Sequence, residues 1–180
     1  KGLDLPLVTL VGIISADVSL NLPDFRAAER SFQLLTQAAG RAGRGLLGGK
    51  VILQTYQPEH YAIQAAANHD TQAFYTREID YRRELGYPPF RRLLRILFSS
   101  PQETRARGEA ERAAATLRHR INQLNMSSTE LIGPAPCFFT RIDHAYRWHL
   151  LLRGPDPARA LRGITIPSEW HVDVDPLDVL

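Results

Sequence analysis

Residues 86–90, GYPPF, constrain this chain more than any other stretch. Pro88 and Pro89 lack backbone donors and fix φ near −65°, so neither a helix interior nor an inner strand can run through them. The segment before them must close as a structure of its own, and the segment after them must begin afresh. The chain has 180 residues, enough for two modest units that each bury a core.

Ahead of the prolines, LVTLVGII (7–14) is a continuous apolar run of the kind buried on both faces of a parallel sheet. From Phe25 the apolar positions Phe25, Ala28, Phe32, Leu35 and Ala39 recur at helical spacing, with Asp24 placed to cap the first turn. KVILQT (50–55) reads as a second buried strand, so the order strand, helix, strand predicts an α/β layer over residues 1–58. Residues 59–89 read as a helical connector with a break near NHD (68–70), stopped by the prolines.

Beyond them, RRLLRILFSS reads as a strand and SPQETRARGEAERAAATLRHRINQL as the strongest helix. Ser100 and Glu103 form a capping box with Pro101 at the first helical position, and Ala106, Ala110, Ala113, Leu117, Ile121 and Leu124 form one apolar stripe. Strands come next at CFFTRID and RWHLLLR, then a short helix at DPARALR closed by Gly163. In the last strand Trp170, Val172 and Val174 point inward and His171, Asp173 and Asp175 outward. Over residues 90–180 the order is β-α-β-β-α-β, that of a ferredoxin-like split βαβ domain. The predicted fold class is therefore α/β followed by α+β, with no internal repeat.

Composition narrows the chemistry. The longest apolar runs are far shorter than the ~20 residues that cross a bilayer, and no targeting segment is present, so no membrane association and a cytosolic location are expected. One cysteine, Cys137, excludes an internal disulfide, and the six histidines lack paired ligand spacing, so no metal site is expected in this chain. The net charge is only +3, yet all basic residues but Lys1 and Lys50 are arginine. A GC-rich genome would give the same bias. The arginines are concentrated locally, however. Arg91, Arg92, Arg95, Arg105, Arg107, Arg112, Arg118 and Arg120 face only Glu103, Glu109 and Glu111 between positions 91 and 120, a regional surplus of the kind a nucleic-acid footprint has. The chain opens on Lys1, without methionine, and enters an apolar strand within a few residues, so it reads as part of something longer.

The stretch TQAAGRAGRG spends two arginines among residues as small as Gly and Ala. If the helix continues through it, Gln37, Arg41 and Arg44 stand at i, i+4 and i+7 on one face, and Gly40 and Gly43 leave room for another surface to approach. Two guanidinium forks on a small-residue platform suit a polyphosphate. A surface helix with ordinary ion pairs would leave the glycines, each costing roughly 1 kcal/mol in a helix, unexplained.

QAAGRAGR resembles motif VI of superfamily 2 helicases, and KGLD with LVTLVGIISAD resembles their motif V. LNLPDFRAAERSFQLLTQ, GGKVILQTYQPEH, YRRELGYPPF and the ending WHVDVDPLDVL narrow the resemblance to the bacterial primosomal protein N′ family of replication-restart helicases. The resemblance implies that residues 1–58 are the C-terminal half of a RecA-like second helicase lobe, and that residues 90–180 form a ferredoxin-like, ribosomal S10-like domain. It implies an ATP-dependent 3′→5′ DNA helicase that recognises stalled or branched forks and restarts replication by primosome assembly. Arg41 and Arg44 would be its arginine fingers, assisted by Gln37, and Gly2, Asp4 and Gly40 would belong to the ATP-binding and coupling element. Arg91, Arg92, Arg95, Arg105 and Arg107 are candidates for DNA contact. ATP and Mg²⁺ would be held mainly outside this chain, since no G-x-x-x-x-G-K-[ST] loop occurs in it, and zinc only in a region upstream. Expected partners are branched and single-stranded DNA, single-stranded-DNA-binding protein, other primosome proteins and the system that loads the replicative helicase, in the bacterial cytoplasm. Two alternatives stay open: a non-enzymatic branched-DNA or protein-docking module, and a fragment of another superfamily 2 helicase.

Overall fold

The computed structural model describes residues 8–40, 42 and 49–180. The chain divides into two compact units, the first ending at Tyr81 and the second running from Arg82 to Leu180.

In the first unit, strand β1 (Leu10–Ile13) pairs in parallel with β2 (Lys50–Leu53), Leu10 opposite Lys50 and Ile13 opposite Leu53, and helix α1 (Ala27–Ala39) connects them. The parallel strand-helix-strand unit is as the sequence predicts, but its burial is not. Both strands alternate exposed and half-buried positions, with Leu10 and Ile52 more than half exposed. A two-stranded sheet packed on one side cannot bury both faces of a strand. Helix α1 starts at Ala27, two residues later than its apolar spacing suggests, and the Asp24 carboxylate accepts from the Arg26 N–H at 2.7 Å. Helix α2 (Tyr61–Ala67) and the first part of α3 (Thr71–Leu85) complete a core in which the rings of Phe32 and Phe74 stack at 4.1 Å.

The exits of the two strands are tied by Asp17. Its carboxylate accepts from the Thr55 hydroxyl and from the backbone N–H groups of Tyr56 at 2.9 Å and Gln57 at 3.2 Å. These bonds, the Thr55 hydroxyl first, hold the Asp17 carboxyl below its ordinary pKa.

The second unit is a four-stranded antiparallel sheet of order β4-β5-β3-β6, formed by β3 (Arg92–Ser100), β4 (Glu130–Ile142), β5 (Ala145–Gly154) and β6 (Trp170–Val174). Helix α4 (Glu103–Gln123) links β3 to β4, and a 3₁₀ helix (Pro157–Leu161) stands where the sequence predicts the last helix. The element order is the predicted β-α-β-β-α-β, with β5 lying between the two strands that α4 connects. Leu94, Ile96 and Phe98 of β3 and Leu150 and Leu152 of β5 are buried with Ala110, Ala113, Ala114 and Leu117 of α4. Alanines at the contact let the helix lie close to the sheet.

Helix ends are set by backbone chemistry more than by the prolines. At the end of α3, Gly86 takes φ 65° while Gly86 N–H donates to Arg83 O at 3.3 Å and Tyr87 N–H to Arg82 O at 2.8 Å, the paired bonds of a Schellman motif. The helix is thus closed before the prolines are reached. His69 (φ 53°) closes α2 and Asn125 (φ 50°) closes α4 with the same two bonds. The predicted capping box is not formed. Ser100 is the last residue of β3, and its hydroxyl accepts instead from the Gln102 N–H at 3.2 Å, so α4 begins at Glu103. Between β4 and β5, Asp143 and His144 both take positive φ, a two-residue type I′ hairpin turn.

Two substitutions probe these contacts. A Cβ on Gly154 would lie 3.0 Å from Thr129 Cα and 3.1 Å from Ser128 O, so Gly154→Ala should destabilise the second unit by ~1–3 kcal/mol in urea denaturation. For Asp17 the folded pKa is depressed, so its stabilisation is complete above the unfolded value of 3.8 and is lost as pH falls through the folded value. Asp17→Asn should therefore lower the melting midpoint and speed hydrogen exchange at Tyr56 and Gln57 at pH 7, and the difference from wild type should vanish towards pH 2.

Candidate functional site

Helix α1 carries the small-residue motif to its end. Gln37 is exposed, one turn beyond the Phe32 and Leu35 side chains that anchor the helix in the core. Gly40 is the C-cap, with φ −66° and ψ 0°, and its N–H donates to Thr36 O at 3.0 Å. Ala42 N–H then donates to Ala39 O at 3.1 Å, so helical turning persists past Ala39. Among the described residues, a Cβ on Gly40 would meet Thr36 O at 3.4 Å and Gln37 O at 3.7 Å, ordinary contacts. Among the described residues, neither φ nor local packing demands glycine there. Arg41, Arg44, Gly2 and Asp4 lie outside the described residues.

The five arginines that the sequence marks for DNA contact are not brought together. Leu94, Ile96 and Phe98 face α4, so Arg95 projects from the opposite face of the sheet. It is buried, and its guanidinium donates to the Leu180 main-chain oxygen and to Cys137 Sγ at 3.6 Å, with Asp178 Oδ1 at 3.9 Å. Arg91 pairs with Glu130 at 3.2 Å, and Arg92 makes a two-pronged bond to Asp175, its Nε 3.1 Å from each oxygen. Arg107 pairs with Glu111 at 2.7 Å along α4. Arg105, exposed on the first turn of α4, pairs with no carboxylate among the described residues. With Phe98, Ser100, Glu109 and Glu169 it lines an open cavity of about 240 Å³. The surplus along the sequence is thus largely offset in space, because Glu130 and Asp175 lie outside the stretch 91–120.

The sheet face that carries Arg95 gathers other charged groups. Arg147 also donates to Leu180 O, at 3.5 Å, and His149 lies on the same side as Arg147 by strand alternation. Burial, then the Arg95 and Arg147 charges, push the imidazole of His149 down to about 4, so it is neutral near pH 7. The sequence carries a signal for this cluster, the period-two placement of Arg147, His149, Leu151 and Arg153 in RWHLLLR. Partners supplied by residues 178 and 180 cannot be read from it. Trp148 faces the other way and packs on the core beside α4, with the Arg107 guanidinium 5.8 Å from its ring.

Among the described residues, no group of three or more His, Cys, Asp and Glu side chains could hold a metal ion, and no helix is long and apolar enough to cross a membrane.

A family model described as the primosomal protein N C-terminal domain matches residues 83–177, just over half of the chain. The replication restart protein PriA of Synechocystis is 40% identical over 186 residues, which cover 99% of this chain and 22% of that protein. Its namesake in Bacillus subtilis is 44% identical over 153 residues, 85% of this chain and 18% of that protein. The Treponema pallidum protein of the same name is 40% identical over 193 residues, 100% of this chain and 28% of that protein. This chain therefore spans between about a sixth and somewhat over a quarter of these relatives' length. The matched region coincides with the second unit and its antiparallel sheet, and this chain belongs to the primosomal protein N C-terminal domain family.

Proposed function

We propose that this chain is the C-terminal part of an ATP-dependent 3′→5′ DNA helicase that restarts replication at stalled or branched forks. The observation that carries the reading is the parallel β1-α1-β2 unit, with the G-R-x-G-R segment at the join between α1 and β2. Such a unit is the repeating element of a RecA-like lobe, and the segment would face a nucleotide held on the companion lobe. There Arg41 and Arg44 would place guanidinium charge on the β- and γ-phosphates of ATP, with Gln37 assisting from the exposed face of α1. Gly40 and Gly43 would allow the close approach, and Gly2 and Asp4 would couple nucleotide state to the DNA track.

Phosphoryl transfer is catalysed largely by positioning and by stabilisation of charge on the transferring group, and an arginine finger contributes ~10³–10⁵ in rate. The charge this chain would bring to that chemistry is cationic, from Arg41 and Arg44. The phosphate loop, Mg²⁺ ligands and zinc-binding cysteines are assigned to the remainder of the protein. The exposed Leu10 and Ile52 fit this division, since the parallel sheet of a complete lobe carries helices on both faces. The second unit is assigned to DNA and to partner proteins of the primosome, including single-stranded-DNA-binding protein, in the bacterial cytoplasm.

In the intact protein, Arg44→Ala should lower DNA-stimulated ATP turnover by at least ~100-fold with little change in DNA affinity, measured by steady-state kinetics and equilibrium binding. Arg44→Lys should also fail, because a point charge cannot reproduce a bidentate fork. Near-normal turnover in both variants would make the motif structural. The isolated 180-residue chain should hydrolyse no ATP with or without DNA.

A further inference from the structure

Strand β4 lies at the edge of the sheet, and its outer half departs from regular pairing. Pro136 is opposite Trp148 and Arg141 is opposite Tyr146, so residues 137–140 bulge against the single residue Arg147. A bulge breaks the alternation that would send neighbouring side chains to opposite faces. Cys137 is buried, and the next two residues, both phenylalanine, are turned out: Phe138 is 51% and Phe139 49% exposed. Their rings contact edge to face with centroids 5.1 Å apart. Two residues further on, the Arg141 guanidinium lies 5.1 Å from the Tyr146 ring centroid. Among the described residues no carboxylate pairs with Arg141, in contrast to Arg91, Arg92 and Arg107.

The charge around this hairpin end is one-sided. From Pro136 to Trp148 the sequence has one acidic residue, Asp143, against Arg141 and Arg147, with His144 at the turn. Exposed aromatic rings beside unpaired arginine are what a single strand of nucleic acid requires. Unpaired bases stack on the rings and phosphates meet the cations, whereas the stacked base pairs of a duplex offer the rings no free face. An apolar protein partner would gain nothing from the surrounding positive charge, and a second copy would repeat it against itself.

We propose that the outer half of the β4–β5 hairpin, built on Phe138, Phe139 and Arg141, is a stacking platform for unpaired DNA bases. This proposal rests on the reading of the second unit as a DNA-binding one and assigns the contact to a surface other than the five arginines named from the sequence.

The test uses the 180-residue chain, a fluorescein-labelled oligothymidylate of about 20 nucleotides and a duplex of the same length, with anisotropy read at several salt concentrations. Stacking is worth roughly 1–3 kcal/mol per base, so Phe138→Leu with Phe139→Leu should weaken oligothymidylate binding by about 10-fold or more. It should leave circular dichroism and duplex binding unchanged. Phe138→Trp with Phe139→Trp should keep binding within about threefold of wild type. Arg141→Ala should reduce the salt slope on the single strand by ~0.7. Wild-type binding by the double leucine variant would overturn the platform and leave the DNA-binding reading standing. No binding of wild type to either DNA at low salt would overturn both. A concentration-dependent dimer in sedimentation, lost in the leucine variant, would assign the patch to self-association and overturn the platform as well.

Discussion

Burial of strand β3 on both faces is the constraint on which the second unit depends. Leu94, Ile96 and Phe98 meet the alanine stripe of α4, and Leu93 and Arg95 are covered on the other side. A strand in that position has no solvated face to spare for a guanidinium. Arg95 is tolerated because the Leu180 main-chain oxygen, Cys137 and Asp178 surround it, and a buried charge without such partners would be costly. The segment after β6 is thereby fastened to the sheet, and β3 is held between β5 and β6 with its register fixed along both edges.

The same geometry explains why the basic character of this unit is weaker in space than along the sequence. Once α4 is seated by its alanines, its arginines lie at its flanks, where Arg107 and Arg112 find Glu111 and Glu109 one turn away. Glu130 serves both Arg91 and Arg153, and these two, Arg153 first, draw its carboxyl below the ordinary range. Exposed pairs of this kind contribute little to stability, about 0–1 kcal/mol each, but they locally cancel the field a polyanion would sense. A nucleic-acid surface is therefore better sought where cations lack carboxylate partners. The hairpin end satisfies that condition, and its bulge also exposes two adjacent aromatics, an arrangement that regular strand alternation would not produce.

Much of the fold is legible in the sequence because it rests on local and periodic signals. The α4 stripe from Ala106 to Leu124 matches the packed face at each position, since a period of 3.6 is written directly in the sequence. The order of elements in the second unit is legible for the same reason. Termini are less so: Gly86, His69 and Asn125 close their helices by adopting positive φ, which a sequence suggests for glycine and leaves open for histidine and asparagine. Ser100 and Glu103 match a capping box in spacing, yet Ser100 is held in β3 by pairing opposite Tyr146. A local signal gives way there to a ladder formed with residues more than forty positions away.

By itself, the sequence determined the parallel strand-helix-strand of the first unit, the split βαβ order of the second and the family resemblance. Each of these depends on residue spacing within a segment or on motifs whose residues are close neighbours. Only the tertiary structure decided which arginines are neutralised, that Arg95 is buried, and that Phe138 and Phe139 stand in solvent. Those outcomes depend on contacts such as Arg92 with Asp175, 83 residues apart, and on a bulge defined by pairing between strands. Charge and aromatic content can be counted along a chain, but whether a side chain is paired, covered or free is settled when distant segments meet.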